Sequence, residues 1–179
     1  MTLSPTAWKY ILHWGEMGTR WGVNRTQAQI HALLFLSSQP MNAEDICETL
    51  NVARSNVSNS LKELQSWQLI RIAHVKDDRR DHFIAQQDVW QIFRLIMDGR
   101  KKREIDPTLT VLRECAEEAK TDHLLESASR ARMDEVLAFM ELLMGGYDNF
   151  KNLPPATLKR FMKMGGMMAR LLGPDDKEE

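Results

Sequence analysis

A chain of 179 residues that is 43% hydrophobic can form one substantial core, or a small domain with helical extensions, and its formal net charge of −1 excludes binding to nucleic acid through bulk charge alone. The two cysteines, Cys47 and Cys115, lie far apart inside predicted helices where burial is expected, so no disulfide framework is indicated and a reducing, cytoplasmic setting fits. The opening residues lack a basic segment followed by a continuous apolar run, and the longest uncharged stretch, Thr26 to Ala43, carries too many polar groups to span a bilayer.

The first predicted helix runs from Pro5 to Gly22. Ala7, Ile11, Gly15, Gly18 and Gly22 share a broad face of it, and the three glycines permit close backbone approach. Trp8, Tyr10, Trp14 and Trp21 crowd the same segment, although the chain is only 7% aromatic. Their first reading is packing between helices; their second is an aromatic wall in which Trp8, Trp14 and Trp21 meet a small-molecule effector. A second helix, Thr26 to Ser38, is expected to bury Ile30, Leu33, Leu34 and Leu36 before Pro40 ends it.

The stretch Asn42 to Ile72 then packs a short helix, a tight turn, a second helix and an entering strand into immediate succession. Asn42 with Asp45 three residues later forms a helix start, in which a side-chain oxygen caps a backbone N–H and the carboxylate favours the dipole. Ile46 and Leu50 share one face. After the turn at Asn51-Val52, a helix from Arg54 aligns Val57, Leu61 and Leu64 toward a core. The opposite side carries Ser55, Asn59, Lys62 and Ser66, flanked by Asn56 and Ser58. Short hydroxyl and amide groups there suit base edges and phosphates better than the Glu and Lys pairs of an ordinary solvated face. The arrangement is that of a helix-turn-helix.

Leu69 to Val75 and His82 to Ala85 alternate as two strands, with Lys76-Asp77-Asp78-Arg79-Arg80-Asp81 as the loop of a hairpin. Arginines in such a loop reach the minor groove, where the potential is most negative. Arg54 to Arg80 contains six basic and three acidic side chains, so positive charge gathers on this part of a nearly neutral chain. His74 and His82 stand across the hairpin without a carboxylate or thiol set, which is the pattern of a solvated pair and not of a metal site.

The run from Arg25 to Ala85 resembles the winged domain of the MarR family of bacterial transcription regulators, and Asp78-Arg79-Arg80 is similar to that family's D-x-R wing signature. Ser55-Asn56-Val57-Ser58, Trp67, and the tract from Asp88-Val89-Trp90 through Arg100, Arg103-Glu104 and Asp106-Pro107 narrow the resemblance to the GbsR-like branch. It covers most of residues 8 to 150. Two departures bear on the helix ends: Gln68 stands where the family usually has Gly, and Ala53 where a capping Ser is common. The resemblance implies a homodimer on double-stranded DNA, with effectors tied in some members to osmoprotectants such as choline.

Beyond the wing, Asp88 to Glu104 is predicted as a long helix with Val89, Ile92, Phe93 and Ile96 in one stripe, interrupted by Asp106-Pro107. The basic run Arg100 to Arg103 reads as a solvated helix end of favourable dipole sign. Helices at Leu109 to Ala119 and Asp122 to Tyr147 follow. On the latter Met133, Val136, Leu137, Met140, Leu143, Met144 and Tyr147 repeat at helical spacing. A last helix, Pro155 to Leu172, is apolar on more than one side and needs two partners, the second being another copy of the chain. The tail Asp175 to Glu179 is expected to fray.

No glycine-rich phosphate loop, nucleophile motif or clustered metal-ligand set occurs, so neither catalytic residues, nor a metal, nor a cofactor is expected. The expected architecture is mainly α with a small β-hairpin wing: an N-terminal dimerisation helix at 1–23, a winged helix-turn-helix at 24–87 and a C-terminal helical dimerisation region at 88–179. Arg54, Ser55, Asn56, Ser58, Asn59, Lys62, Lys76, Arg79 and Arg80 are the expected DNA contacts of a transcriptional repressor. The competing expectation is a winged-helix module that binds protein and not DNA.

Overall fold

The computed structural model describes residues 3–172, with side chains through residue 165. It divides into two units, residues 1–99 and 100–179.

Unit 1 is built on α2 (Arg25–Leu36), whose first turn is capped by Asn24 Oδ1 accepting from the N–H groups of Thr26 and Gln27. Ile30, Leu33 and Leu34 of this helix are at most 1% exposed and form the middle of the core; Leu36, expected inside, faces water. Against it lies α1 (Pro5–Arg20), started by Ser4 and Pro5. A Cβ on Gly15 would come within 2.6 Å of Gln29 Cγ, and one on Gly18 within 2.5 Å of Ala28 Cβ. Those two glycines are what lets the helices touch. Gly22 has another task, taking φ +76° in the turn between them.

The short strand β1 (Met41–Asn42) leads into α3 (Ala43–Leu50), where buried Asn42 accepts from the Asp45 N–H at 2.9 Å. Asn51 ends α3 at φ 51°, a left-handed conformation that asparagine tolerates. Next comes α4 (Arg54–Ser66), started by Ala53 with no side-chain cap. Ile46, Val57, Leu61 and Leu64 of α3 and α4 close on Ile11, Ile30 and Leu33 in one cluster. Helix α4 stops in a Schellman turn: Leu69 N–H donates to the Leu64 carbonyl at 3.0 Å and Gln68 N–H to the Gln65 carbonyl at 2.8 Å, with Gln68 at φ 58°. The position usually held by glycine is therefore one whose backbone asks for it.

The wing consists of β2 (Ile70–Val75) and β3 (Asp78–Ala85), joined by Lys76-Asp77 with Asp77 at φ 64°. Its sheet has three antiparallel strands in the order β1-β3-β2, because Met41 pairs with Phe83 and Asn42 with His82. Two expectations are corrected by this register. The six-residue loop expected from Lys76 to Asp81 is a two-residue turn, so Arg79 and Arg80 stand on β3. The expected solvated histidine pair does not form: His82 pairs with Ala73 and is buried, while His74 sits at an irregularity of β2 and is exposed.

Unit 1 ends at Gly99, within α5 (Val89–Arg100), which is capped by Asp88 Oδ1 on the N–H groups of Trp90 and Gln91. Ile92 is buried, but Val89 and Phe93 of the expected stripe are exposed. The backbone continues through a π-helical turn, Lys101–Ile105, into α6 (Asp106–Ala119) of the second unit. Asp106-Pro107, expected to interrupt the helix, does not, because the π turn places Pro107 in the first turn of α6, where a missing N–H costs little. Lys101 and Arg100 of the basic run are held by carboxylates: Lys101 Nζ lies 2.8 Å from Asp106 Oδ1 and Arg100 Nη1 lies 3.3 Å from Glu104 Oε2. The Asp106 carboxylate raises the Lys101 pKa.

In unit 2, α7 (Ser127–Phe150) starts later than the expected Asp122 and runs alongside α6, with Arg113 Nε 2.8 Å from Glu141 Oε1. Leu137, Met140, Met144 and Tyr147 are half-buried, while Met133, Val136 and Leu143 of the same stripe face water. In α8 (Pro155–Leu172), Phe161 meets Phe150 edge to face at 5.6 Å. The side chains of Met167, Met168, Leu171 and Leu172, and all of Asp175 to Glu179, lie outside the described residues. Both cysteines are half-buried instead of buried. No helix among the described residues is long and apolar enough to cross a membrane.

Candidate nucleic-acid interface and effector cavity

The side of α4 turned away from the core presents Arg54, Ser55, Asn56, Asn59 and Lys62 to solvent, with Ser58 half-buried beside them. The core side is Val57, Ser60, Leu61 and Leu64, so the 3.6-residue repeat divides the helix into one buried and one polar face. Arg54 is ion-paired with Glu44 of the first turn of α3, a contact spanning the two helices of the motif. The Glu44 carboxyl lies below its ordinary value, first because of a backbone hydrogen bond and second because of Arg54. The periodicity of α4 could not reveal that pair, since it depends on the turn between the helices.

On the wing, Asp78 and Arg80 form a forked contact: Arg80 Nη2 lies 2.5 Å from Asp78 Oδ2 and Nε lies 3.0 Å from Oδ1, while the Arg80 backbone N–H also donates to Oδ1 at 3.0 Å. The guanidinium and that N–H hold the Asp78 carboxyl well below the usual carboxylate range, and the carboxylate in turn raises the Arg80 pKa. His82 donates from Nδ1 to the Arg80 carbonyl at 2.9 Å and sets Nε2 3.5 Å from Asp78 Oδ2. Arg80 is thereby fixed at both backbone and side chain, whereas Arg79 and Lys76 project into solvent. Asp78 is the aspartate of the D-x-R signature, whereas His82 is a positioning group that no spacing in the sequence assigns.

The three candidate effector tryptophans occupy different places. Trp14 stacks on Tyr10 with ring centroids 5.6 Å apart and planes 12° apart, and both line a cavity of about 100 Å³ with His31, Ala32, Phe35, Val89 and Ile92. Trp8 is half-buried and Trp21 is exposed at the end of α1; neither lines this cavity. His31 is 6% exposed, its Nε2 has no hydrogen-bond partner, and burial pushes its pKa down to about 4. A neutral imidazole with an unmet hydrogen-bonding atom thus adjoins an aromatic hollow. Among the described residues no three His, Cys, Asp or Glu side chains gather as a metal site would require.

These elements define a winged helix-turn-helix fold. Residues 21–81 match the sequence model of the MarR family. Among solved structures, the chain is similar to a transcriptional regulator at TM-score 0.59 and 13% identity, over 89% of this chain and 99% of that one. It also aligns with a transcriptional regulator from Thermotoga maritima (TM-score 0.38, 16% identity, 80% and 90% covered) and with a mutant S. aureus MepR bound to an oligodeoxyribonucleotide (TM-score 0.38, 16% identity, 80% and 99% covered). No curated protein matches the chain in sequence.

Proposed function

We propose that the protein is a cytoplasmic, homodimeric transcriptional repressor of the GbsR-like kind, which occupies a palindromic operator and releases it when a small effector binds. The observation that carries the reading is the exposed polar face of α4 beside an arginine-bearing strand: Asn56 and Asn59 can each pair bidentately with adenine, and Arg79 and Arg80 supply charge for phosphate or the minor groove. Trp67, the Asp88-Val89-Trp90 tract and Asp106-Pro107 support the narrower GbsR-like assignment by resemblance. Phe139 and Leu142, 58% and 74% exposed on α7, support a second copy as the cover for the helices of unit 2.

The effector reading rests on the cavity of Tyr10, Trp14, Phe35 and His31. Ring faces attract a small quaternary ammonium group by about 0.5 to 2 kcal/mol each, and neutral His31 does not repel it. Trp14 is the member of the tryptophan set placed to report such a ligand. Selection of binding sites from random duplexes tests the central reading: an enriched palindrome supports it, whereas no enrichment at low salt points to the protein-interaction module.

A further inference from the structure

Strand β3 turns Asp78, Arg80 and His82 to one side, since residues two apart on a strand share a face. Asp78 Oδ2 is the atom on which the other two converge. Arg80 Nη2 lies 2.5 Å from it and His82 Nε2 lies 3.5 Å from it, while Arg80 Nε keeps a second contact of 3.0 Å to Oδ1. The His82 ring is held in this aspect: it is 5% exposed, and its Nδ1–H donates to the Arg80 carbonyl at 2.9 Å. With the proton on Nδ1, a neutral ring turns the Nε2 lone pair toward a carboxylate oxygen, and no hydrogen bond can form between them. A charged ring presents an N–H donor to the same oxygen. Histidine is the side chain whose charge ordinarily changes between about pH 5 and 8. Asp78 stays ionised across that interval, because Arg80 holds its carboxyl well below the usual carboxylate range. Of the elements packed against β3, β1 brings no ionisable side chain, α2 brings Arg25 and His31, β2 brings Arg71 and His74, and α3 brings Glu44 and Asp45, whose charge reaches Arg80.

We propose that His82 is a proton-sensitive positioning residue of the wing, whose charged ring takes over Asp78 Oδ2 and so releases Arg80 Nη2 to DNA while Arg80 Nε keeps its hold on Oδ1. Two cations then share one carboxylate. The triad of Asp78, Arg80 and His82 carries no net charge with a neutral ring and +1 with a charged one, and the guanidinium edge that is freed is the one suited to a phosphate or to the minor groove. Both changes favour contact with a polyanion. By linkage, DNA that prefers the charged triad must in turn draw protons onto the wing when it binds.

The inference rests on the proposed DNA binding, and two readouts keep the two apart. In the free full-length protein, the nuclear magnetic resonance signals of the His82 ring, the Asp78 carboxyl carbon and Arg80 Nε are followed from about pH 8 to about pH 6. They should move through one shared midpoint. In His82→Asn, which keeps a donor for the Arg80 carbonyl but takes up no proton, the Asp78 and Arg80 signals should stay still. On the selected operator, wild-type affinity should rise about two- to fivefold per protomer over the same interval, the scale of a partly exposed charge pair. His82→Asn should lose most of that rise, His74→Gln should keep it, and adding His82→Asn to Arg80→Ala should remove little more. An Arg80 signal that ignores the His82 titration would overturn the inference, as would a pH dependence left unchanged by His82→Asn or persisting in full in Arg80→Ala. If His82→Asn does not fold, His82→Gln takes its place beside the wild-type titration of the three signals. Absence of wild-type binding to any duplex would instead remove the DNA-binding reading, and the shared midpoint would still decide whether His82 and Arg80 compete for Asp78.

Discussion

At residue 68 the chain places glutamine in a left-handed turn that costs a side-chain-bearing residue about 1 to 2 kcal/mol. Gln68→Gly should therefore raise the unfolding free energy by about 1 kcal/mol in urea titration, with the denaturant slope unchanged. His31 gives a second test. Its folded pKa near 4 lies below the usual histidine value, so the unfolded chain binds the extra proton in the interval between them and stability must fall as pH drops from about 6.5 toward 4. The loss should be on the order of 2 kcal/mol by pH 5, and His31→Leu should flatten it. A His31→Leu profile that keeps the full slope would assign the effect to other groups. Asp78 behaves in the opposite sense: its depressed pKa keeps the pairing with Arg80 intact throughout the neutral range, and the contribution disappears only as pH falls below the ordinary carboxylate values.

At the scale of elements, the fit of α1 on α2 depends on Gly15 and Gly18. Gly18→Val should destabilise by about 1 to 3 kcal/mol through overpacking against Ala28, whereas Gly145→Ala, on an open stretch of α7, should not. Much of this architecture is legible in the sequence. The cap at Asn42, the helix start at Asp88 and the buried stripe of α4 are local patterns, and local patterns survive into the fold because they need only neighbouring residues. What the sequence hides is non-local or depends on backbone register. A two-residue run such as Met41-Asn42 has no strand pattern of its own and becomes β1 only because β3 lies beside it. The wing turn reads too long because charged residues at 78–81 look like loop, while pairing of Asp78 with Val75 holds them in the strand. Pro107 looks like a break because nothing in the residue pattern announces a π turn upstream. In the candidate site, the exposed side of α4 follows from periodicity and the Asp78–Arg80 pair lies within the D-x-R signature, but Glu44 opposite Arg54, His82 on the Arg80 carbonyl and the orphaned His31 nitrogen come from proximities that only the fold creates.

For the whole molecule, the proposed function requires a dimer. The exposed Val136, Phe139, Leu142 and Leu143 on α7 form apolar surface whose burial is worth about 25 cal/mol per Å². Light scattering at low micromolar concentration should give twice 20.7 kDa, and a stably folded monomer would remove the basis for a two-fold operator. The central claim, that α4 and the wing are the DNA-facing surface, is tested most directly by titrating wild type, an Asn56→Ala/Asn59→Ala variant and an Arg79→Ala/Arg80→Ala variant onto the selected operator and a scrambled duplex at several salt concentrations. The asparagine variant should bind the operator more weakly by about 1 to 3 kcal/mol per side chain, with the salt slope unchanged. The arginine variant should weaken on both duplexes, with a log–log salt slope reduced by about 1 for each phosphate no longer neutralised. Wild-type affinity in both double variants would contradict the assignment.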